Sequence, residues 1–157
     1  MTVIQNGRDA FRLAFERYTD TVYRVAVHNT ASVADAEDVT QEVFLRLWQS
    51  SKRFRDEEHQ KAWLIRVTIN LCRNRARSRG RETLMEDVPQ PAQSAADSSV
   101  LDAVKRLPES ERNAIYLHYY EGYTAAEIAD ILGSRTNTVL SWLRRGREKL
   151  RETVDIG

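Results

Sequence analysis

The sequence predicts an all-α protein in which a flexible linker joins two small helical domains, the C-terminal one a helix-turn-helix. Apolar residues recur at helical spacing through almost the whole chain, and strand patterns are nearly absent. Residues 80–99 are rich in Pro, Gln, Ser, Ala and acidic residues, a composition that cannot build a packed core. In the tail, from Tyr123 to Arg151, two amphipathic stretches flank a glycine that permits a sharp turn.

The charge distribution divides the chain at the same place. The formal net charge is only +1 over 157 residues, so the overall balance indicates no partner. Residues 1–81 contain 15 basic and 10 acidic side chains, whereas residues 82–98 contain four acidic side chains and no basic one. We therefore expect two folded parts separated by an acidic spacer, with the positive field on the first part.

Several functional classes are disfavoured by what the sequence lacks. Cys72 is the only cysteine, which excludes an internal disulfide and a thiolate metal cage. Glu57, Glu58 and His59 are adjacent and cannot converge on one metal ion from a helix, and no phosphate loop or nucleophile motif is present. Neither a secretory signal nor an apolar stretch of membrane-spanning length is found. We expect a cytoplasmic protein that is not an enzyme, takes no metal or other cofactor and does not insert into a membrane.

The first domain, residues 1–80, is predicted to contain three long helices. An apolar stripe supports each helix, Ser32 can cap the second, and Gly80 stops the third. Their expected spans are about Arg8–His28, Ala34–Gln49 and Lys61–Arg79, with a polar connection at Ser50–Gln60.

The apolar stripes also predict which side chains are buried in this domain. Phe44 and Trp48 lie beside the stripe of the second helix, and we expect them to be partly exposed. The buried side of the third helix is expected to consist of Trp63, Ile65, Ile69, Cys72 and Ala76.

The second domain, residues 100–157, follows a linker at residues 81–99. A short helix is predicted over about Val100–Arg106. Another helix starts with Pro108 at its first position, where no amide donor is needed, and runs to about Glu121.

The helix-turn-helix follows from local capping signals. Thr124 and Glu127 have the spacing of a capping box, in which each side chain satisfies a free amide at the start of a helix. Gly133 permits the sharp turn that follows, and Ser134 can cap a second helix opening at Arg135.

That last helix has two different faces. Its inner face is predicted to carry Val139, Leu143, Gly146 and Leu150. Its outer face carries Asn137, Ser141, Arg144 and Glu148, flanked by Thr138 and Arg145. A protein that reads the DNA major groove needs side chains with paired hydrogen-bonding groups on the outer face of the second helix. Arginine can pair with guanine in this way, and asparagine with adenine. A helical hairpin with a solvated basic face would give the same pattern.

Three segments in order resemble the sigma-70 family of bacterial RNA polymerase sigma factors. They are DAEDVTQEVFLRLW (Asp35–Trp48), KAWLIRVTINLCRNRAR (Lys61–Arg77) and the tail that begins with LPESER at Leu107. The length and the two-part organisation resemble the family's small extracytoplasmic-function (ECF) group. The resemblance implies that residues 1–80 are sigma domain 2, residues 81–99 a linker and residues 100–157 sigma domain 4.

The resemblance also implies roles for particular residues of the first domain. A surface for the polymerase β′ subunit would consist of Asp38, Gln41, Glu42, Phe44, Leu45 and Trp48. The alternative that Phe44 and Trp48 are simply core residues stays open. The −10 promoter element would be read and held open by Phe54, Arg66, Asn70, Arg73, Asn74 and Arg77, with Arg75 and Arg79 extending the basic track. The connection Phe54–Gln60 matches the family's loop that cups a flipped-out base.

In the second domain the resemblance implies a reader of the −35 promoter element. Its expected DNA contacts are Arg135, Asn137, Thr138, Ser141, Arg144 and Arg145, without a division between bases and phosphates. The implied partners are core RNA polymerase through its β′ and β subunits, promoter DNA and, from the habits of the group, an anti-sigma factor. The main alternative is a stand-alone helix-turn-helix regulator with an N-terminal helical ligand or dimerisation domain.

Overall fold

A computed structural model of the chain describes residues 3–79 and 95–155. Across these residues it contains seven α-helices and no strand, as the sequence predicts. The helices are α1 (Val3–His28), α2 (Val33–Gln49), α3 (Glu57–Arg79), α4 (Ala95–Lys105), α5 (Glu109–Tyr119), α6 (Ala125–Leu132) and α7 (Thr136–Asp155). The chain divides into two compact units, Met1–Gln90 and Pro91–Gly157. We call them unit 1 and unit 2.

Unit 1 is a bundle in which α1, α2 and α3 pack against one another. The predicted cap of α2 is confirmed, because the Ser32 hydroxyl accepts a hydrogen bond from the Asp35 amide at 3.1 Å. Helix α3 begins at Glu57, four residues before the predicted Lys61. The Asp56 carboxylate explains the earlier start, since it accepts a hydrogen bond from the His59 amide at 2.8 Å and so caps the first turn.

The core of unit 1 differs from the predicted one on α3. Leu64 and Thr68 are fully buried in addition to the expected Ile65, Ile69 and Cys72. Trp63 packs against the core as expected but is only half-buried, whereas Ala76 is exposed, so its burial prediction was wrong. Ala76 lies on the same face as Cys72, but there α3 has passed the first turn of α2 and no helix of the described bundle covers it.

Unit 2 contains α4 to α7, and α7 packs against each of the other three. Helix α4 begins at Ala95, so the last five residues of the predicted linker are helical, whereas residues 81–94 lie outside the described ones. Pro108 precedes α5 at the cap position with extended backbone (ψ 150°), rather than occupying its first helical position. Helix α5 ends at Tyr119, two residues before the predicted Glu121.

The helix-turn-helix is present as predicted. The Glu127 amide donates to the Thr124 hydroxyl at 3.2 Å, and the Thr124 amide donates to the Glu127 carboxylate at 3.0 Å. The backbone amide and the hydroxyl of Thr124 together hold the pKa of Glu127 below its ordinary value of 4.5. Gly133 has a left-handed backbone (φ 66°), which ends α6 and turns the chain toward α7. Helix α7 begins at Thr136, one residue later than predicted.

Helix α7 lies unusually close to α5. Val139 and Leu143 of α7 are buried, as predicted. A β-carbon added at Gly146 would lie 2.7 Å from Cγ1 of Ile115, so only glycine allows this approach without a shift. The close contact fixes the face of α7 that points away from the core.

Candidate nucleic-acid and partner-binding surfaces

Five of the predicted −10 residues form one face of α3. They are Arg66, Asn70, Arg73, Asn74 and Arg77. Successive members are four, three, one and three residues apart, so they lie on one side of the helix. Arg66, Asn70, Asn74 and Arg77 are exposed, and Arg73 is half-buried. Three guanidinium groups and two amides on one face can follow a phosphate backbone and hydrogen-bond to unpaired base edges. We call this surface the α3 face.

Arg75 does not belong to the α3 face. Its guanidinium lies 3.4 Å from the Asp35 carboxylate and 3.8 Å from that of Asp38. The Asp35 side chain is only 8% exposed, so Arg75 compensates a buried negative charge and joins α3 to the first turn of α2. The expectation that Arg75 extends the basic track gives way to this structural role, and the side chain of Arg79 lies outside the described residues.

Phe54 lies in the loop that precedes α3 and packs against two neighbouring aromatic rings. The Phe54 ring centroid lies 5.4 Å from that of His59 and 5.5 Å from that of Trp63, both in edge-to-face geometry. The Arg55 amide donates to His59 Nδ1 at 3.1 Å, which orders the same loop. Phe54 is half-buried against the core, so it can form one wall of a pocket but does not project as a free stacking platform.

The predicted polymerase-binding residues form an exposed face of α2, with one exception. Asp38, Gln41, Glu42, Leu45 and Trp48 are exposed on one side of the helix. Leu45 is 50% and Trp48 51% exposed, which is high for large apolar side chains. We call these five residues the α2 face.

Phe44 is the exception. It is 3% exposed, so the expectation of partial exposure was wrong, and Phe44 cannot itself contact a partner. Two α1 rings cover it. The Phe15 ring lies 5.0 Å from Phe44 and the Phe11 ring 6.4 Å, both in edge-to-face geometry.

The sequence did not indicate that α1 adds aromatic surface beside Trp48. Phe15 is 44% exposed, and the Phe11 ring centroid lies 5.2 Å from that of Trp48. Phe11 and Phe15 are spaced i, i+4, which is the spacing of a buried apolar stripe, so periodicity alone gives no sign that Phe15 is exposed. Together with Trp48 and Leu45 they form an apolar patch bordered by the acidic residues of the α2 face.

In unit 2, three of the predicted −35 residues share the outer face of α7. Asn137 and Arg144 are exposed and Ser141 is half-buried, with its hydroxyl donating to the Asn137 carbonyl at 3.1 Å. Arg135 is exposed just before the helix begins. Within residues 3–79 and 95–155, neither Arg135 nor Arg144 is held in an ion pair, so both guanidinium groups can turn toward a ligand.

Arg145 and Thr138 lie at the edge of this surface. Arg145 Nε is 3.6 Å from a carboxylate oxygen of Glu111 on α5, a side chain that is 8% exposed. Thr138 is half-buried. Arg145 is therefore tied to α5, and Thr138 is less accessible to a ligand than Asn137 and Arg144.

Leu140 lies on the same outer face and was missed by sequence reasoning. It is 50% exposed, three residues after Asn137 and four before Arg144. In the sequence, Leu140 is an apolar residue among the polar residues of the outer face. The inner face of the helix already has its own apolar residues without it. We call Asn137, Leu140, Ser141 and Arg144 the α7 face.

Two other kinds of feature are absent from the described residues. None of the helices there is both long and apolar enough to cross a membrane. No group of three or more His, Cys, Asp or Glu side chains among them is arranged to hold a metal ion.

Known protein families match most of the chain. The family model described as Sigma-70 region 2 matches residues 14–82, and the one described as Sigma-70, region 4 matches residues 98–150. The chain is 36% identical over 150 residues to the ECF RNA polymerase sigma factor SigE of Mycolicibacterium smegmatis, covering 87% of this chain. It spans only 58% of that protein's length.

Two further similarities extend over nearly the full length of both proteins. The chain is 31% identical over 155 residues to the ECF RNA polymerase sigma factor SigL of Mycobacterium tuberculosis, covering 91% of this chain and 88% of that protein. Its fold is similar to that of the sigma factor RpoE of Bartonella quintana, solved in complex with the anti-sigma factor NepR. That similarity has a TM-score of 0.81 at 25% identity and covers 94% of this chain and 98% of the other.

Proposed function

This chain belongs to the sigma-70 family of RNA polymerase sigma factors, in its ECF group, and on that premise we propose that it is a promoter-specificity subunit. In this role it binds core RNA polymerase, directs the enzyme to promoters with matching −35 and −10 elements, and helps to open the duplex. The observation that carries this proposal is that each of the two helical units presents an exposed arginine- and amide-bearing face on one long helix. Bond formation belongs to the polymerase, so the chain carries out no catalytic step and needs no cofactor.

Unit 1 is assigned to the −10 element. Opened DNA is bound by a basic groove together with places that receive unstacked bases. On the α3 face, Arg66, Arg73 and Arg77 supply the positive charge, and Asn70 and Asn74 supply paired donors and acceptors. Phe54, backed by His59 and Trp63, supplies a wall for a flipped base. Flipping costs a few kcal/mol, which contacts in such a pocket must offset.

Unit 1 is also assigned the main contact with polymerase. The α2 face, widened by Phe11 and Phe15, offers an apolar centre with a carboxylate rim, which suits a helical partner that carries basic residues. We assign this surface to the coiled coil of the β′ subunit. Phe44 is buried beneath the surface and supports it without touching the partner.

Unit 2 is assigned to the −35 element. The second helix of a helix-turn-helix enters the major groove with its N-terminal residues on base edges. Asn137, Ser141 and Arg144 are placed for this, Arg135 stands at the helix entrance, and Arg145 and Thr138 border the contact. Each well-formed bidentate pair contributes about 1–3 kcal/mol of discrimination.

An anti-sigma factor is the proposed regulator. The similar RpoE of Bartonella quintana was solved with the anti-sigma factor NepR, and the apolar patch on α1 and α2 offers this chain a surface for such a partner. The proposed place of action is the cytoplasm, where bacterial RNA polymerase works.

Run-off transcription with purified core polymerase on a promoter library tests the proposed function. We expect transcripts from a defined set of promoters only when this chain and core polymerase are both present, and weak DNA binding by the chain alone. Tight sequence-specific binding by the free chain, without any effect on polymerase, would instead identify a stand-alone regulator.

A further inference from the structure

Leu140 lies outside the buried inner face of α7. The inner face of the helix is filled by the buried residues Val139 and Leu143, whereas Leu140 is 50% exposed. A single exposed leucine is ordinary on a protein surface, so exposure by itself carries no meaning. The neighbours of Leu140 distinguish it from Leu13 on α1, which is 55% exposed.

Those neighbours are the polar members of the α7 face. Asn137 precedes Leu140 by three residues and Arg144 follows it by four, so all three project from the same side of the helix. Leu140 is the fifth residue of α7, within the N-terminal part that meets base edges in a helix-turn-helix. An apolar side chain therefore lies at the centre of a surface built from hydrogen-bonding groups.

The major groove contains one apolar group that such a centre can match. Of the four bases only thymine presents a methyl group there, beside an acceptor oxygen, and apolar side chains contact it. At ~1.5 Å per helical residue, Leu140 lies about 4.5 Å from Asn137 and about 6 Å from Arg144 along the axis. Base pairs are spaced by ~3.4 Å, so side chains this close together can reach base pairs within a few steps of one another.

Resting on the proposed −35 role of unit 2, we infer that Leu140 is a specificity-determining residue that contacts the 5-methyl group of a thymine in the −35 element. It selects thymine at one position, while Asn137 and Arg144 read polar edges on either side. Because half of the side chain is exposed in the free protein, that apolar surface becomes buried when DNA is bound.

Methyl deletion in the DNA tests this contact atom by atom. Each thymine on both strands of a −35 element selected by the holoenzyme is replaced in turn by deoxyuridine, which lacks only the methyl group. With the unaltered chain, one replacement should weaken promoter binding by about fourfold, the factor expected for one buried methyl-sized group. Holoenzyme with Leu140→Ala should bind the thymine promoter correspondingly more weakly and lose its sensitivity at that position.

Controls separate this inference from its premise. Leu13→Ala should leave binding and methyl sensitivity unchanged. The inference is overturned if no deoxyuridine replacement weakens binding, if Leu140→Ala keeps the full sensitivity, or if Leu140→Ala weakens binding to core polymerase itself. Should the holoenzyme initiate at no promoter of a library, the proposed function fails; initiation with methyl-insensitive binding rejects only the role of Leu140.

Discussion

Lys149 Nζ of α7 lies 2.7 Å from a carboxylate oxygen of Glu111 on α5. The Glu111 side chain is 8% exposed, whereas that of Lys149 is 46% exposed, so a buried charge is compensated from the surface. The pair joins α7 to α5, one turn from the close contact of Gly146 with Ile115. The orientation of the α7 face therefore depends on α5.

Breaking that pair should destabilise unit 2. Lys149→Met leaves the Glu111 carboxylate with only the more distant Arg145 as a partner. We expect the free energy of unfolding of unit 2 to fall by about 1 kcal/mol after allowing for solvent screening. Urea unfolding, followed by Trp142 fluorescence, measures this loss of stability. The measurement uses a W48F/W63F background, because Trp142 is then the remaining tryptophan of the three. Arg151→Met, on an exposed position of the same helix, should change little. Equal stability of the two variants would show that Lys149 contributes nothing.

Gly146→Ala should destabilise unit 2 although alanine favours helices. The new β-carbon would lie 2.7 Å from Cγ1 and 3.1 Å from Cδ1 of the buried Ile115, so the side chain or the helices must shift. Overpacking costs about 1–3 kcal/mol, against ~1 kcal/mol gained in helix propensity, which leaves a net loss of about 1 kcal/mol. Gly7→Ala in α1 is the matched control, because nothing lies within 4 Å of its added β-carbon. An increase in the melting temperature for Gly146→Ala would contradict the contact.

Leu45→Asp should weaken binding to core polymerase. The substitution removes an exposed apolar side chain from the centre of the α2 face and adds a carboxylate, which should raise the Kd at least tenfold. Fluorescence anisotropy with labelled protein measures the Kd, and circular dichroism checks the fold. Leu13→Asp places the same charge at another exposed leucine of unit 1 and should leave the Kd unchanged. If both variants bind equally well, the docking surface lies elsewhere.

Replacing Arg66 and Asn70 together with Ala should impair promoter opening more than promoter binding. Both side chains are exposed on the α3 face, so their loss would remove the proposed contacts to the opened strand while leaving the buried core intact. Permanganate footprinting should show fewer open complexes, and a template with a pre-formed bubble should restore much of the transcription. Arg12→Ala, at an exposed surface ion pair of α1, serves as the control. A defect that the bubble template does not relieve would place the residues outside strand opening.

The capping box at the start of α6 should make unit 2 sensitive to acid. The pKa of Glu127 is lowered in the folded state, so its stabilising contribution is present above about pH 4.5 and is lost as the pH falls through the lower folded value. The stability difference between the unaltered chain and Glu127→Gln should therefore shrink below pH 4.5. Thr124→Ala removes the partner hydroxyl and should cost about 1 kcal/mol at neutral pH. A difference that does not vary with pH would contradict this role of the carboxylate.

Helical periodicity and capping signals were sufficient to predict most of the fold. The capping box at Thr124, the turn at Gly133 and the inner stripe of α7 depend on residues close in sequence, and the structure contains each of them. The same spacing rule places Arg66, Asn70 and Arg77 on one face of α3.

What the sequence could not predict depends on contacts between helices. Phe44 is buried because two rings of α1 lie over it, and no pattern within α2 indicates that cover. Arg75 and Arg145 look like their neighbours in the sequence, yet each is drawn to a buried carboxylate on another helix. Periodicity identifies residues that share a face, but not how far a neighbouring helix covers that face.

The exposed residues of the α7 face contribute little to the buried core, and this has an evolutionary consequence. On the proposed −35 role of unit 2, a substitution at Asn137, Leu140 or Arg144 would change what the helix recognises while leaving folding almost untouched. Paralogous copies of such a gene could drift toward new regulons without first acquiring compensatory mutations elsewhere.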